Sequence, residues 1–411
     1  MSRQIRHGQS HASLLRDVST SVVPSSRSRL DVIVVPTARP SSALQNVINL
    51  SATLSVPLVI LCSRQANVGQ VAQRVEKTFG ARALVIDVPD GYQLLDKPHL
   101  TSAPHLRQAC AERSSDLSVK RNVGLLLGRL RGWNKILFVD DDINQLRPLH
   151  VEQVSSVLDR HAVASMASRE FPDNSVVCHG RRLAGLDQDV FVSGAVLGVN
   201  LQHPALSFFP DIYNEDWFFF ARHAAARCLP KVGEVRQAEY LPFADSGRAE
   251  REEFGDLLAE GLYALFESTP RWDFKEQLTA ASRKSHWQDF REIRAQTIQE
   301  AIDKLWWQQS TAGAVHNRTM LDAEDSLRYA EKQLSGITAD LCVDFIQSWQ
   351  EDEHRWQQVL RRHTAALSQR DALSELGLST SIPCGYGINS MSFGAVGSKP
   401  KSDLTAAGAV S

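Results

Sequence analysis

Four short apolar runs in the first 140 residues place the tightest constraint on the fold of this chain. They cover residues 32–35, 58–61, 83–86 and 136–139, and segments with helical periodicity lie between them. Runs of this length with little polar alternation are typical of strands that are buried on both faces. Their alternation with helices predicts an α/β domain in which helices cover both faces of a mostly parallel sheet.

The fourth apolar run continues directly into three carboxylates, Asp140, Asp141 and Asp142. Unpaired carboxylates are costly to bury, so the strand must deliver them to an edge where solvent or a cation meets them. Ligands of such sheets bind beyond the carboxyl ends of the strands. Mg²⁺ or Mn²⁺ prefers oxygen ligands, and one or two carboxylates from the protein are enough. The sequence therefore predicts a divalent metal site at Asp140 and Asp142, with Asp141 on the other side of an extended chain.

This Asp-x-Asp pair after an apolar strand resembles the DxD motif of GT-A glycosyltransferases, most closely the broad family-2-like group. Three further segments match that family in order. Residues 120–124 resemble its RNxG helix start, residues 192–195 its small-residue segment beside the donor sugar, and residues 214–217 its ED motif. The resemblance covers about residues 30–245, and the helical final third of the chain lies outside it.

The resemblance implies a Rossmann-like GT-A domain that moves a sugar from a nucleoside-diphosphate sugar to an acceptor hydroxyl. Mg²⁺ or Mn²⁺ would bridge the two phosphates, with Asp142 as the direct ligand and Asp140 on the ribose or on a metal-bound water. Asp216 would be the general base of an inverting enzyme, and Glu215 would hold the acceptor. The donor-binding residues that it implies are Pro36, Thr37, Arg39, Asp87, Lys120, Arg121, Asp140, Asp141 and Gly194.

The residues at these positions also have plain structural interpretations. Glu215 and Asp216 suit the first turn of a helix, whose positive end they face. They also lie among aromatic residues, which can raise the pKa of a carboxyl group into the range of a general base. Lys120 and Arg121 either contact a diphosphate or form a solvated helix end, and Arg39 either contacts the nucleotide or is a solvated turn residue.

Three other functions remain open at this point. A haloacid-dehalogenase-like phosphatase would use Asp140 and Asp142, but its acidic strand usually comes first in the domain. A sugar-nucleotide nucleotidyltransferase would need a glycine-rich loop after the first strand, and residues 36–42 contain no glycine. A non-catalytic GT-A-like protein would bind a partner through its helical third. The turn at residues 62–64 lacks the acidic residues that the resembled family often has there.

Composition limits the partners of the chain and suggests its location. The 45 basic and 47 acidic residues balance, which excludes a general binder of nucleic acid or membrane surfaces. Its apolar runs fall short of the roughly 18 residues of a membrane span. Six isolated cysteines are typical of reduced thiols in a cytoplasmic protein. We expect disordered tails at 1–29 and 376–411 and a helical region at 246–375, which would cover the acceptor side or mediate self-association.

Overall fold

The computed structural model of the 411-residue chain describes residues 11–94, 103–169, 171, 174–186, 191–204, 206–311, 318–362 and 366–385. The strands in these residues are β1 (Leu15–Asp17), β2 (Val32–Thr37), β3 (Leu58–Cys62), β4 (Arg82–Asp87), β5 (Lys135–Val139), β6 (Ile143–Gln145), β7 (Val163–Arg169), β8 (Val192–Asn200), β9 (Leu229–Gln237) and β10 (Ser381–Gly385). The helices are α1 (Gln45–Leu54), α2 (Val68–Glu76), α3 (Pro104–Ala109), α4 (Leu117–Leu130), α5 (Pro148–Val157), α6 (Val176–Leu183), α7 (Glu215–Ala225), α8 (Gly247–Ser268), α9 (Phe274–Ala281), α10 (Lys284–Thr311), α11 (Arg318–Gly336), α12 (Ala339–Arg362) and α13 (Gln369–Glu375).

All described strands join one sheet in the order β1-β9-β7-β8-β5-β2-β3-β4-β10, and β6 pairs with β9. The predicted α/β class is confirmed, and β2, β3, β4 and β5 are the four apolar runs, paired in parallel. Strand β8 enters antiparallel between β5 and β7, so the sheet is mixed. Strands β2, β3, β4, β5, β7 and β9 all end at one side, which we call the carboxyl edge.

Helices cover both faces of the sheet, as the sequence predicts. On one face, α1, α2 and α5 pack on apolar side chains of the sheet, among them Val35 and Leu137. On the other, α4 and α7 pack on Val34 and Phe138. A Cβ atom added at Gly124 would lie 2.8 Å from Phe138 Cε1, so glycine lets α4 approach the sheet closely. This approach brings the first turns of α4 to the carboxyl edge.

Both terminal segments that the sequence analysis assigns to disordered tails contain strands, and this corrects that expectation for the residues described. Strand β1 pairs in parallel with β9, and β10 pairs antiparallel with β4. Each adds to an outer strand whose backbone N–H and C=O groups would otherwise be unpaired. Local composition does not show this, because each partner strand lies more than 200 residues away. Residues 1–10 and 386–411 of the expected tails lie outside the described residues.

The helical region after residue 246 packs against α7. The ring of Phe218 in α7 lies 5.1 Å from Phe345 and 5.2 Å from Trp349, both in α12. The sequence predicts a helical region over 246–375, and helices α8, α9, α10, α11, α12 and α13 lie within it. Among the described residues, no helix combines the length and the apolar character that crossing a membrane requires.

Candidate active site

The acidic loop, residues 140–142, connects β5 to β6 at the carboxyl edge. The backbone N–H of Asp140 donates to the Ala195 carbonyl at 2.8 Å, which ties the start of the loop to β8. The N–H of Ala238 donates to the Asp142 carbonyl at 2.8 Å, which ties its end to the residue after β9. The strand order therefore holds the loop at both ends, as a rigid support for its three carboxylates.

Two predicted donor-binding residues, one at the end of β2 and one in the loop after it, contact these carboxylates. Thr37 Oγ1 donates to Asp141 Oδ2 at 2.7 Å. Arg39 Nη2 donates to Asp142 Oδ2 at 2.9 Å, and its Nη1 lies 3.5 Å from Asp141 Oδ1. The Arg39 side chain is 47% exposed, so part of it is accessible to a ligand.

Two other predicted residues lie further from the acidic loop. Pro36 is a strand residue of β2 and pairs with Leu61 of β3. Asp87 ends β4, two strands away from β2, and its backbone N–H donates to the Thr380 carbonyl at 3.0 Å. Neither position brings the residue into the group of contacts around the acidic loop.

Asp142 carries the atom that best fits a cation. Its side chain is 9% exposed, and its Oδ2 accepts from Arg39 and from Gln237. Its buried Oδ1 has no hydrogen-bond partner in the described part of the chain. A buried carboxylate oxygen without a partner costs free energy that a bound cation would recover. No group of three or more His, Cys, Asp or Glu side chains is arranged for a metal in the described part of the chain. The donor set therefore fits a cation with one protein carboxylate and further oxygens from phosphate and water.

Arg121 in α4 joins the acidic loop to the start of α7. Its Nη2 donates to both oxygens of Asp140, at 2.9 and 3.0 Å, and its Nη1 donates to Glu215 Oε1 at 2.6 Å. Its side chain is 2% exposed, and its Cζ lies 5.5 Å from the centre of the Phe209 ring. Arg121 is therefore a buried counter-charge for the site and is not open to a diphosphate.

Asp216 lies beside this cluster and is itself buried. Its Oδ2 accepts the backbone N–H of Gly194, and its Oδ1 accepts that of Trp217 at 2.9 Å. The pKa of Asp216 is raised to about 7. Burial is the largest cause, and the negative charge of Glu215 acts in the same direction, while the positive charge of Arg121 opposes both. Phe209 and Phe219, two of the aromatic residues near Glu215 and Asp216 in the sequence, stack at 4.2 Å between ring centres. A carboxyl group with a pKa near 7 is suited to proton transfer at neutral pH.

A glycine is required at position 194 because the side chains of Arg121 and Asp216 approach it closely. A Cβ atom there would lie 2.6 Å from Arg121 Nη1 and 2.9 Å from Asp216 Cβ. The small-residue segment that the sequence analysis places beside a donor sugar thus also makes room for the buried charges. Helix α7 begins at Glu215 as predicted, after Asn214 in a left-handed conformation with φ of 62°.

Lys120 is placed differently from the exposed diphosphate contact that the sequence suggests. Helix α4 begins at Leu117, so Lys120 falls inside it, 1% exposed. Its Nζ donates to the Thr37 carbonyl at 2.7 Å and to Ser63 Oγ at 2.6 Å, and it lies 3.1 Å from Asp116 Oδ1. Lys120 therefore connects the end of β2 to the loop after β3 by hydrogen bonds and positions the loop that carries Arg39.

The contacts of Asp140 disfavour the phosphatase interpretation. A nucleophilic aspartate needs a carboxylate oxygen that can reach the phosphorus atom. Both oxygens of Asp140 accept from Arg121, which is itself buried. Asp140 is therefore better suited to orient Arg121 than to attack a substrate.

A cleft of about 400 Å³ opens beside the acidic loop on the α1 side of the sheet. Its polar lining includes the amide side chains of Asn46 and Asn49 in α1 and of Asn144 and Gln145 in β6. Amide groups donate and accept hydrogen bonds and suit hydroxyl-rich ligands. Asp216 lies on the opposite face of the sheet, so this cleft does not contain the candidate base.

Gln237 and Asp116 are the residues of the site that the sequence analysis missed. Gln237 ends β9 at the carboxyl edge, and its Nε2 donates to Asp142 Oδ2 at 3.1 Å. Asp116 accepts from Ser63 Oγ at 2.5 Å and pairs with Lys120. The position of Gln237 at the end of a strand was the available signal for this residue, but its use requires the strand order. Asp116 directly precedes α4, and its contacts with Ser63 and Lys120 appear only in the folded structure.

Comparison with known proteins leaves the family of this chain open. No model of a protein family matches it, and no curated protein sequence is significantly similar. Among solved structures, the mannosyltransferase PcManGT from Pyrobaculum calidifontis, in complex with GDP-Man and Mn²⁺, covers 77% of this chain and 89% of its own. The two share 11% sequence identity with a TM-score of 0.37, a likeness too low to carry an argument about function.

Proposed function

We propose that this chain is a metal-dependent glycosyltransferase that moves a sugar from a nucleoside-diphosphate sugar to an acceptor hydroxyl. The observation that carries the proposal is the pairing of two groups at the carboxyl edge. Asp142 Oδ1 is buried and has no partner among the residues that the structure describes, and the half-exposed Arg39 side chain donates to the other oxygen of the same carboxylate. A cation and a diphosphate together complement this pair, because the cation takes the carboxylate and the phosphates take the guanidinium.

The charge balance of the site supports a cation. Four carboxylates, those of Asp140, Asp141, Asp142 and Glu215, and the partly ionised Asp216 face three basic side chains, those of Arg39, Arg121 and Lys120. The excess of negative charge would repel a diphosphate unless a cation came with it. When bound at Asp142, Mg²⁺ or Mn²⁺ would neutralise the charge that grows on the departing nucleoside diphosphate.

The residues around Asp142 would then have separate roles. Thr37 and Gln237 hold the acidic loop by hydrogen bonds to Asp141 and Asp142. Arg39 has the length and exposure to exchange the carboxylate for a phosphate oxygen. Asp140 keeps Arg121 in place, so its contribution to the metal is through the arrangement of the loop.

Asp216 is the proposed general base. Its two backbone hydrogen bonds occupy two of the roughly four lone-pair positions of a carboxylate, and a third can accept the proton of an acceptor hydroxyl. The pKa near 7 permits it to take this proton at neutral pH and to release it afterwards. Glu215, held by its ion pair with Arg121, would place a negative charge beside Asp216.

The division into a catalytic unit over residues 30–245 and a helical region over 246–375 belongs to this proposal. The aromatic contacts between α7 and α12 support a role of the helical region in holding the start of α7. Self-association through the helical region and a cytoplasmic location are further parts of the proposal.

A thermal-shift screen tests the donor and the metal together. We expect UDP, GDP or another nucleoside diphosphate to raise the melting temperature only when Mn²⁺ or Mg²⁺ is present. Asp142→Asn should abolish this shift while the variant stays folded. The matched control is Asp303→Asn, which changes an exposed aspartate of α10 far from the carboxyl edge.

Three results would contradict the proposal. The first is no response to any nucleoside diphosphate, and the second is a shift that needs no metal. The third is a metal-dependent shift that survives in Asp142→Asn. A protein that binds a partner equally well with and without the Asp142 carboxylate, and no nucleotide, would instead be a non-catalytic binding protein.

A further inference from the structure

His11, near the start of the chain, lies in a cage of aromatic rings. His11 is buried, with only 6% of the residue exposed. The centre of its ring lies 5.3 Å from that of Trp217, 5.6 Å from that of Tyr263 and 6.0 Å from that of Phe191. Trp217 belongs to α7, Tyr263 belongs to α8, and Phe191 directly precedes β8. His11 therefore packs against three segments near the candidate active site.

Two carboxylates of α8 make His11 a cation in this cage. His11 Nε2 lies 2.9 Å from Glu260 Oε2, and Nδ1 lies 3.3 Å from Glu267 Oε1. Burial alone would lower the pKa of the imidazole, but Glu260 and Glu267 together raise it to about 9. An ion pair in such a place holds the N-terminal segment firmly against α8.

The cage is connected directly to the candidate base. Tyr263 Oη donates to the Trp217 carbonyl at 2.8 Å, and the Trp217 backbone N–H donates to Asp216 Oδ1 at 2.9 Å. The side chain of Trp217 contacts His11, while its peptide group orients Asp216. Movement of Trp217 would therefore move the carboxylate that we propose as the base.

We infer that His11 is a positioning residue for Asp216, and that residues 11–17 are part of the support of the active site. The segment is held at both ends, by His11 on α8 and by the pairing of β1 with β9. Without His11 the cage would contain two carboxylates and an empty volume, so the start of α7 would lose its packing on this side. The part of the inference that concerns catalysis rests on the proposed function of Asp216; the part that concerns the order of α7 does not.

Amide hydrogen exchange and steady-state kinetics test the two parts separately. The variants are His11→Ala and His11→Gln, of which the second keeps polar atoms in the cage but no positive charge. The matched control is His354→Gln, which changes an exposed histidine of α12 outside the segment of residues 11–17. All three are made in the full chain, and if His11→Ala fails to fold, His11→Gln carries the test.

We expect exchange at the amides of residues 216–219 to rise about tenfold in the His11 variants, while the amides of β2 and β3 keep their protection. With the nucleotide sugar found by the screen, kcat should fall about tenfold to a hundredfold, because a small displacement of a catalytic group is costly. KM for the donor should stay within about twofold, because the donor contacts lie on the acidic loop. His354→Gln should leave the exchange, kcat and KM unchanged.

Unchanged exchange at the start of α7 in both His11 variants would overturn the inference. So would a rise in exchange that extends equally to β2 and β3, or a loss of kcat matched by a rise in KM, since either would mean a general loss of stability. If the wild-type protein transfers no sugar while the exchange at α7 changes as expected, the proposed function fails and the structural part of the inference stands.

Discussion

Replacement of Arg121 by Met should lower the free energy of unfolding by about 3–5 kcal/mol, because removal of one partner leaves buried charge uncompensated. In the wild-type protein, the buried guanidinium donates to Asp140 and Glu215, and its charge also acts on Asp216. Methionine fills much of the same volume, so most of the loss is electrostatic. The comparison is Arg39→Met: Arg39 is 47% exposed and pairs with Asp141 and Asp142, so its loss should cost about 1 kcal/mol or less.

The size of this effect should depend on pH. Burial raises the pKa of Asp216 to about 7 against the opposing charge of Arg121, so loss of Arg121 raises that pKa further. A carboxyl group whose pKa is higher in the folded state binds more protons there, and its destabilising effect therefore grows as pH rises. Urea unfolding of both variants at several values between about pH 5 and pH 8 measures the deficit. A deficit for Arg121→Met no larger than that for Arg39→Met, or one that shrinks with rising pH, would refute the reasoning.

Three further predictions concern the same site. If Asp216 is the base, kcat/KM should fall about tenfold per pH unit below pH 7, and Asp216→Asn should remove this dependence with a loss of about a hundredfold to ten-thousandfold. Gly194→Ala should destabilise the fold by about 1–3 kcal/mol in urea unfolding, because its Cβ would lie 2.6 Å from Arg121 Nη1. Gly336→Ala, with no atom within 4 Å of its Cβ, should stay within about 0.5 kcal/mol. Lys120→Met should lower the free energy of unfolding by about 1–3 kcal/mol, because it removes the hydrogen bonds to Thr37 and Ser63. The same loss should weaken nucleoside-diphosphate binding in the thermal-shift screen, because the loops after β2 and β3 are then no longer held together.

Local pattern was sufficient for the central strands and for the position of the acidic loop. Each apolar run is complete within a few residues, and its periodicity reports burial without reference to any partner. The position of Asp140, Asp141 and Asp142 after the fourth run therefore predicted their place at the carboxyl edge. Thr37 and Arg39 were also predicted near that edge, because they follow the first strand.

Pairing between distant residues was not predictable in the same way. Arg121 and Lys120 share the first turns of one helix, yet Arg121 joins the carboxylates and Lys120 supports two loops. Their different roles follow from the rotation of α4 on the sheet, which the close approach at Gly124 permits. The terminal strands escaped prediction for a related reason, since β1 and β10 gain their stability from β9 and β4.

The sequence by itself determined the α/β class, the four central strands and the residue types that the carboxyl edge can present, because these depend on short-range periodicity. Tertiary structure alone decided which of those residues face one another: Asp142 with an unpartnered oxygen, Arg121 buried between two acidic segments, and His11 behind Asp216. The physical reason is that charge pairing and burial are properties of distances in space. Residues separated by more than 200 positions in the chain come into contact only after the sheet has ordered its strands.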